Sequence, residues 1–335
     1  MEEKQIRQYF LGGNTGLGFY NLFDGITPKW EKTKWTYVLK GGPGVGKNTM
    51  MRKFAQTAMD KGYHVELFHC SGDPDSLDGV RVVERGLVML DGTAPHVIDP
   101  VRPGAADGII NLGIFIEEEK LKEDLIKIDE LFRANQNEYK KVYAYLMAAR
   151  KLKAAGIESA SCLTDTGSVE VLTEGCKGRM NRHIFIDAIT HKGWVDYSRE
   201  YEADSVYTVT GDSRYTFMEE LAANAGDRAV LIHDCILGDG IKAVYIPQKD
   251  CYVTTEECEG AQVIESDRYK DAGVADFIEY NENVIAELTG KAVKHLAVCK
   301  EIHDDIEKIY SKTINFDGVN KKTQEIIQDC FDSLS

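Results

Sequence analysis

One short pattern occurs twice in the chain, and that repetition limits the possible architectures more than any other feature. Arg7 to Phe19 (RQYFLGGNTGLGF) lies without gaps on Arg182 to Trp194 (RHIFIDAITHKGW), matching Arg7 with Arg182, Phe10 with Phe185, Thr15 with Thr190, Gly18 with Gly193 and aromatic Phe19 with Trp194. Self-similarity is read first because it sets how many units share a chain. After each copy comes a β-branched and aromatic run ending in glycine, TYVLKG (Thr36 to Gly41) and VYTVTG (Val206 to Gly211), which reads as a strand entering a turn. Further on, VELFHC (Val65 to Cys70) matches AVLIHD (Ala229 to Asp234) as a second buried strand, with His69 opposite His233.

Each copy closes on a long amphipathic stripe. Leu121, Leu125, Ile128, Phe132, Tyr139, Val142, Leu146 and Ala149 advance by threes and fours, broken only at Asn135. Ile285, Leu288, Ala292, Leu296, Cys299, Ile302, Ile306 and Ile309 do the same. Apolar residues at this spacing share one face of a helix that packs on its own domain. Strand, turn, helix, strand, strand and helical cap is the order that builds an α/β parallel sheet with flanking helices. The sequence therefore predicts two tandem copies, residues 1–175 with a helical cap at about 115–156, and residues 176–335 with C-terminal helices. The boundary falls in the Ser-, Thr- and Gly-rich stretch SASCLTDTGSVEVLTEGCKG.

The most specific local signal is Gly41-Gly42-Pro43-Gly44-Val45-Gly46-Lys47, which follows the strand Tyr37 to Leu39 and precedes the helical stretch NTMMRKFAQTAMDKG. Glycines let main-chain N–H groups turn inward as an anion nest. The helix N-terminus adds partial positive charge, and Lys47 can reach terminal phosphates. Asn48 and Thr49 complete the loop. The usual pattern places at Asn48 a hydroxyl that ligates Mg²⁺, and here a carboxamide stands in its place, which weakens the expected metal site. The second copy reads Gly211-Asp212-Ser213-Arg214, shorter and without nest glycines; Asp212 would repel phosphate, and Arg214 can take the place of Lys47. That copy is expected to bind no nucleotide in this mode.

Leu87 to Leu90 reads as a buried strand ending in Asp91, placed either to hold Mg²⁺ as a Walker B carboxylate or to cap the turn before Gly92. The water-activating glutamate found beside it in many ATPases is replaced by Gly92. His96 can orient water or an acceptor hydroxyl, or can be a turn histidine. Asp73, Asp75 and Asp78 crowd a loop at the expected sheet edge, but their spacing is not that of an EF-hand, and Asx turns account for them equally well. Arg102 is a candidate for neutralising phosphate charge, or a solvated loop arginine.

Composition excludes several function classes. A formal charge of −15 argues against general nucleic-acid binding. No apolar run reaches the roughly 20 residues a bilayer needs, and the N-terminus lacks an export signal, so a cytoplasmic protein is expected. Eight scattered cysteines without a C-x-x-C pair fit reduced thiols better than disulfides or zinc.

The runs LKGGPGVGKNT, HCSGDPDSLDGV and LDGTAPHVIDP resemble a bacterial family of P-loop proteins described loosely as ATPases or nucleotide kinases, and the resemblance covers the whole chain. It implies a P-loop NTPase-like fold in each half, ATP with Mg²⁺ as cofactors, and phosphate-loop roles for Gly41, Gly46 and Lys47. It supplies no substrate and no protein partner. Asn48, where the family has serine, and the eroded second loop depart from its pattern.

Overall fold

A computed structural model describes residues 5–26, 33–95, 97–198 and 203–332. Its strands are β1 (Ile6–Phe10), β2 (Gly12–Thr15), β3 (Gly18–Asn21), β4 (Trp35–Lys40), β5 (Val65–His69), β6 (Leu77–Val82), β7 (Leu87–Asp91) and β8 (Asp107–Asn111), then β9 (Arg182–Ile184), β10 (Asp187–Thr190), β11 (Gly193–Asp196), β12 (Ser205–Thr210), β13 (Val230–His233), β14 (Ile241–Ile246), β15 (Cys251–Thr254) and β16 (Gln262–Glu265). The helices are α1 (Lys47–Asp60), α2 (Glu118–Glu123), α3 (Leu125–Ala160), α4 (Gly167–Thr173), α5 (Arg214–Asn224), α6 (Ala272–Ser311) and α7 (Phe316–Asp332). The fold class is α/β. No helix of the described residues is long and apolar enough to cross a membrane.

The chain forms two compact units, and neither is a half of the sequence. The first comprises Met1–Tyr9, Glu31–Lys140 and His295–Ser335; the second comprises Phe10–Trp30 and Lys141–Lys294. Two unit boundaries fall inside helices, after Lys140 in α3 and after Lys294 in α6, and both helices run unbroken through them. Each long helix therefore begins in one unit and ends as part of the other.

In the first unit a six-stranded sheet has the order β1-β5-β6-β7-β4-β8, and in the second the order β9-β13-β14-β15-β12-β16. The two orders coincide strand for strand. The purely parallel sheet expected from the sequence gives way to a mixed one. β4 is parallel to β7 and β8, while β6 runs antiparallel to both β5 and β7. The connections β5–β6 and β6–β7 are too short for a crossover, which needs a dozen or more residues, so the chain turns back as hairpins. The sequence places Asp73, Asp75 and Asp78 together in a loop, whereas Asp78 belongs to the strand LDGVRV. All six residues of β6 are nonetheless buried, with Arg81 paired to Glu66 at 2.9 Å.

α1 lays Met50, Met51, Phe54, Ala55 and Ala58 on the sheet, and α7 packs against α1, with Phe331 tilted against Phe54 at 5.4 Å. α1 ends as its sequence predicts: Gly62 takes φ +82 and returns its N–H to Met59 O at 2.9 Å. In the second unit α5 packs Phe217, Met218, Leu221 and Ala222 on its sheet beneath Val169 and Leu172 of α4. The predicted stripe of α6 is buried at Ile285, Ala292, Leu296, Cys299, Ile306 and Ile309; that of α3 is buried at Ile128, Val142, Leu146 and Ala149, while Leu125 and Phe132 are exposed.

The repeated thirteen-residue pattern forms two matching hairpins, both in the second unit. Thr15 Oγ1 donates to Gly18 O at 2.9 Å and accepts the Leu17 N–H at 3.0 Å; Thr190 does the same with Gly193 and Lys192 at the same distances. The closing glycines take φ +94 and +99, which only glycine adopts without strain.

Candidate functional site

The glycine loop of the first unit joins β4 to α1 with its backbone in left-handed or otherwise glycine-only conformations: φ is +150 at Gly41, +69 at Gly44 and +96 at Gly46. Gly46 is the N-cap, and no side chain caps the helix, so the first N–H groups of α1 are left for another acceptor. Lys47, the first helical residue, folds back over the loop. Its Nζ donates to Gly41 O at 2.8 Å and Gly42 O at 3.0 Å, and stands 3.7 Å from Asp91 Oδ2. The parallel register of β4 and β7 sets this meeting by placing Leu39 beside Asp91. An ammonium, a carboxylate and an open helix N-terminus thus converge at the ends of two adjacent parallel strands, where α/β sheets bind ligands.

Asp91 keeps one oxygen available. Its Oδ1 accepts from Thr93 N at 2.9 Å and Thr93 Oγ1 at 2.6 Å, leaving Oδ2 toward Lys47. The two readings of Asp91 are therefore compatible: one oxygen caps the turn and the other faces the loop. Asn48 is placed otherwise. Its Oδ1 accepts the Leu77 N–H at 3.2 Å, which ties the carboxamide to β6. As a Mg²⁺ site the residues fit in part. Asp91 Oδ2 suits an ion that takes its remaining ligands from phosphate and water, whereas Asn48 would have to release β6 first. Among the described residues no group of three or more His, Cys, Asp or Glu could hold a metal ion.

Pro43, Val45 and Thr49 complete the predicted loop; Val45 is buried and its Cγ2 closes on Gly41. His96 lies outside the described residues. Arg102 is tied locally, its N–H and guanidinium directed to Asp107 at 2.7 and 3.5 Å. Of the three loop aspartates, Asp73 forms the turn, accepting from Asp75 N at 3.3 Å and Ser76 Oγ at 3.0 Å, while Asp78 is buried in β6.

Three features carried no local sequence signal. Lys40 pins the segment after β7, donating to Gly92 O at 2.8 Å, Ile98 O at 2.7 Å and Asp99 Oδ1 at 3.0 Å. The end of α6 lies on the glycine loop, so that a Cβ on Gly42 would come within 2.6 Å of the Tyr310 ring and one on Gly44 within 3.4 Å of Glu307 O. The Glu307 carboxyl is held below its ordinary range first by His303, then by Lys300 and the Gly44 N–H, against the effect of burial. A carboxylate in that place competes for the same N–H groups that a phosphate would use.

The corresponding loop of the second unit is filled from within. Asp267 accepts the N–H groups of Asp212 at 2.8 Å and Ser213 at 2.9 Å, and the Ser213 hydroxyl at 2.6 Å. Burial and then Asp267 push the Asp212 carboxyl upward. Arg214, the first residue of α5, donates to Gly211 O at 3.0 Å as Lys47 does to Gly41 O. The cation keeps its place while the nest holds a side chain of the chain itself. Compared with protein-family models, with curated proteins and with solved structures, the chain matches none of them.

Proposed function

We propose that the first unit is a P-loop module that binds a nucleoside triphosphate, ATP in the ordinary case, through Gly41 to Thr49, and that the chain acts as a weak ATPase or small-molecule phosphotransferase. The observation that carries this is the convergence of the uncapped α1 N-terminus, Lys47 and Asp91 Oδ2 on one glycine loop. On binding, Lys47 would exchange the carbonyls of Gly41 and Gly42 for phosphate oxygens, and main-chain N–H groups would offset the charge that develops in phosphoryl transfer. Mg²⁺, held by Asp91 and phosphate oxygens, would supply further neutralisation. Gly92 places no carboxylate beside Asp91, so slow turnover fits the loop better than fast hydrolysis.

The matching strand orders and hairpins support descent of the two units from one duplicated P-loop-like ancestor, the second having replaced its nucleotide by Asp267. A second reading, a nucleotide sensor or non-catalytic relative, is favoured by the hold of Leu77 on Asn48. Calorimetry with ATP and Mg²⁺ tests the proposal. Binding that Lys47→Ala weakens by ~100-fold is expected from loss of a charged hydrogen-bonding group. Absence of ATP and GTP affinity at millimolar ligand would overturn it. Steady γ-phosphate release separates enzyme from sensor, and Asn48→Ser is expected to speed that release only if the first reading holds.

A further inference from the structure

The second unit contains a cavity of about 350 Å³ between the end of α3, the start of α6 and the first turn of α5. This volume lies within the range of small-molecule sites. Its wall is mostly apolar, with Ile157, Ile278, Ile285 and Trp194 among the lining residues. Gly156 of α3 lines the cavity where α6 comes close: a Cβ there would stand 3.3 Å from Ile278.

Two polar groups at this wall are left unmet. Asn281 is only 4% exposed, and its Nδ2 has no acceptor; the buried Oγ1 of Thr289, two turns further along α6, has no partner either. Leaving a buried donor unpaired is costly, and most buried polar groups find a partner. The charged groups at the wall point the other way. Lys153 and Arg214 are balanced there by Asp212 and Glu282, and both cations are engaged. Lys153 Nζ is 2.5 Å from Asp234, and Arg214 donates to Glu282 at 2.9 Å. No unspent cation is offered to an anion.

We propose that this cavity is a binding site for an uncharged, largely apolar small molecule that carries a carbonyl-type acceptor, received by the Asn281 amide. The site is separate from the glycine loop of the first unit and does not depend on nucleotide binding there.

The full chain is titrated with Prodan, an uncharged naphthalene dye bearing a propionyl carbonyl, and its emission is followed. A saturable blue shift is expected. Asn281→Leu keeps the volume, removes only the amide and is expected to weaken Prodan ~10-fold. Phenylnaphthylamine, uncharged and without a carbonyl, should bind that variant as it binds the native chain. Gly156→Phe, which fills the cavity, should abolish both; Ala286→Phe serves if that variant loses its cooperative melting transition. No saturable shift, equal Prodan affinity in the folded Asn281→Leu and cavity-filled chains, or tighter binding of the anionic anilinonaphthalene sulfonate than of Prodan would each overturn the proposal.

Discussion

At the scale of single residues, the Glu307 carboxylate already accepts the Gly44 N–H of the glycine loop, the group that the proposed phosphate would also use. Glu307 stands over Gly44 where a phosphate would approach, and its carboxyl is kept ionised chiefly by His303. Removing the charge while keeping the shape should relieve the competition. Glu307→Gln is expected to raise ATP affinity roughly three- to tenfold, the scale of one like-charge contact in a partly solvated site; unchanged affinity in calorimetry would show that the carboxylate and the phosphates do not compete. Gly46 tests the backbone itself. Its φ of +96 and the 3.1 Å from a built Cβ to Val319 Cγ1 leave no easy place for a side chain. Gly46→Ala should cost about 1–2 kcal/mol in urea unfolding and weaken ATP binding as well. The loop and Lys47 were legible in the sequence, because they depend on neighbours within one strand-turn-helix passage; Asp91 was legible as a strand-end carboxylate, while its meeting with Lys47 is set by the pairing of β4 with β7. Glu307, Tyr310 and Lys40 were not, since their partners come from distant parts of the chain.

At the scale of elements, β13 illustrates how a strand end stores a dependence on pH. His233 donates Nδ1–H to Gly238 O at 2.7 Å and receives the Nδ1–H of His183 at Nε2, 2.8 Å away, an arrangement that requires the His233 ring to be neutral. Burial, reinforced by His183, lowers the His233 pKa from the ordinary 6.5 of histidine to about 4. The unfolded ring therefore takes up a proton first as pH falls, so the stability that His233 contributes is complete above about pH 6.5 and is lost as pH falls toward 4. The loss should amount to about 2–3 kcal/mol. Urea midpoints at pH 7 and pH 4.5 measure it, and His233→Gln should flatten the difference; an equally steep loss in that variant would place the titration elsewhere. The same element explains a limit of the sequence reading. His69 and His233 were matched as strand-end histidines, and each donates Nδ1–H to the carbonyl five residues on, Pro74 and Gly238. β6 and β14 escaped notice between those landmarks, because polar residues inside a buried antiparallel strand erase the alternation that marks one.

At the scale of the whole molecule, one glycine loop leads into a helix with no side-chain cap, and the corresponding loop is closed by Asp267. The expectation is one nucleotide per chain, counted by calorimetry; a stoichiometry of two would show that Asp267 yields its place. If the proposal holds, ATP at about 100 times its Kd should stabilise the first unit by ~2.7 kcal/mol, and Lys47→Ala should abolish that gain. By itself the sequence determined the local devices: the repeated pattern, the glycine loop, the helix stripes and the net charge of −15. These follow from periodicity, turn chemistry and composition, which act over a few residues. Tertiary structure alone decided that the units interleave along the chain, that short connections make the sheets mixed, and that α7 rather than a nearby helix covers α1. Such outcomes depend on where long helices end and what apolar surface they meet there. No window of the sequence contains both partners of those contacts.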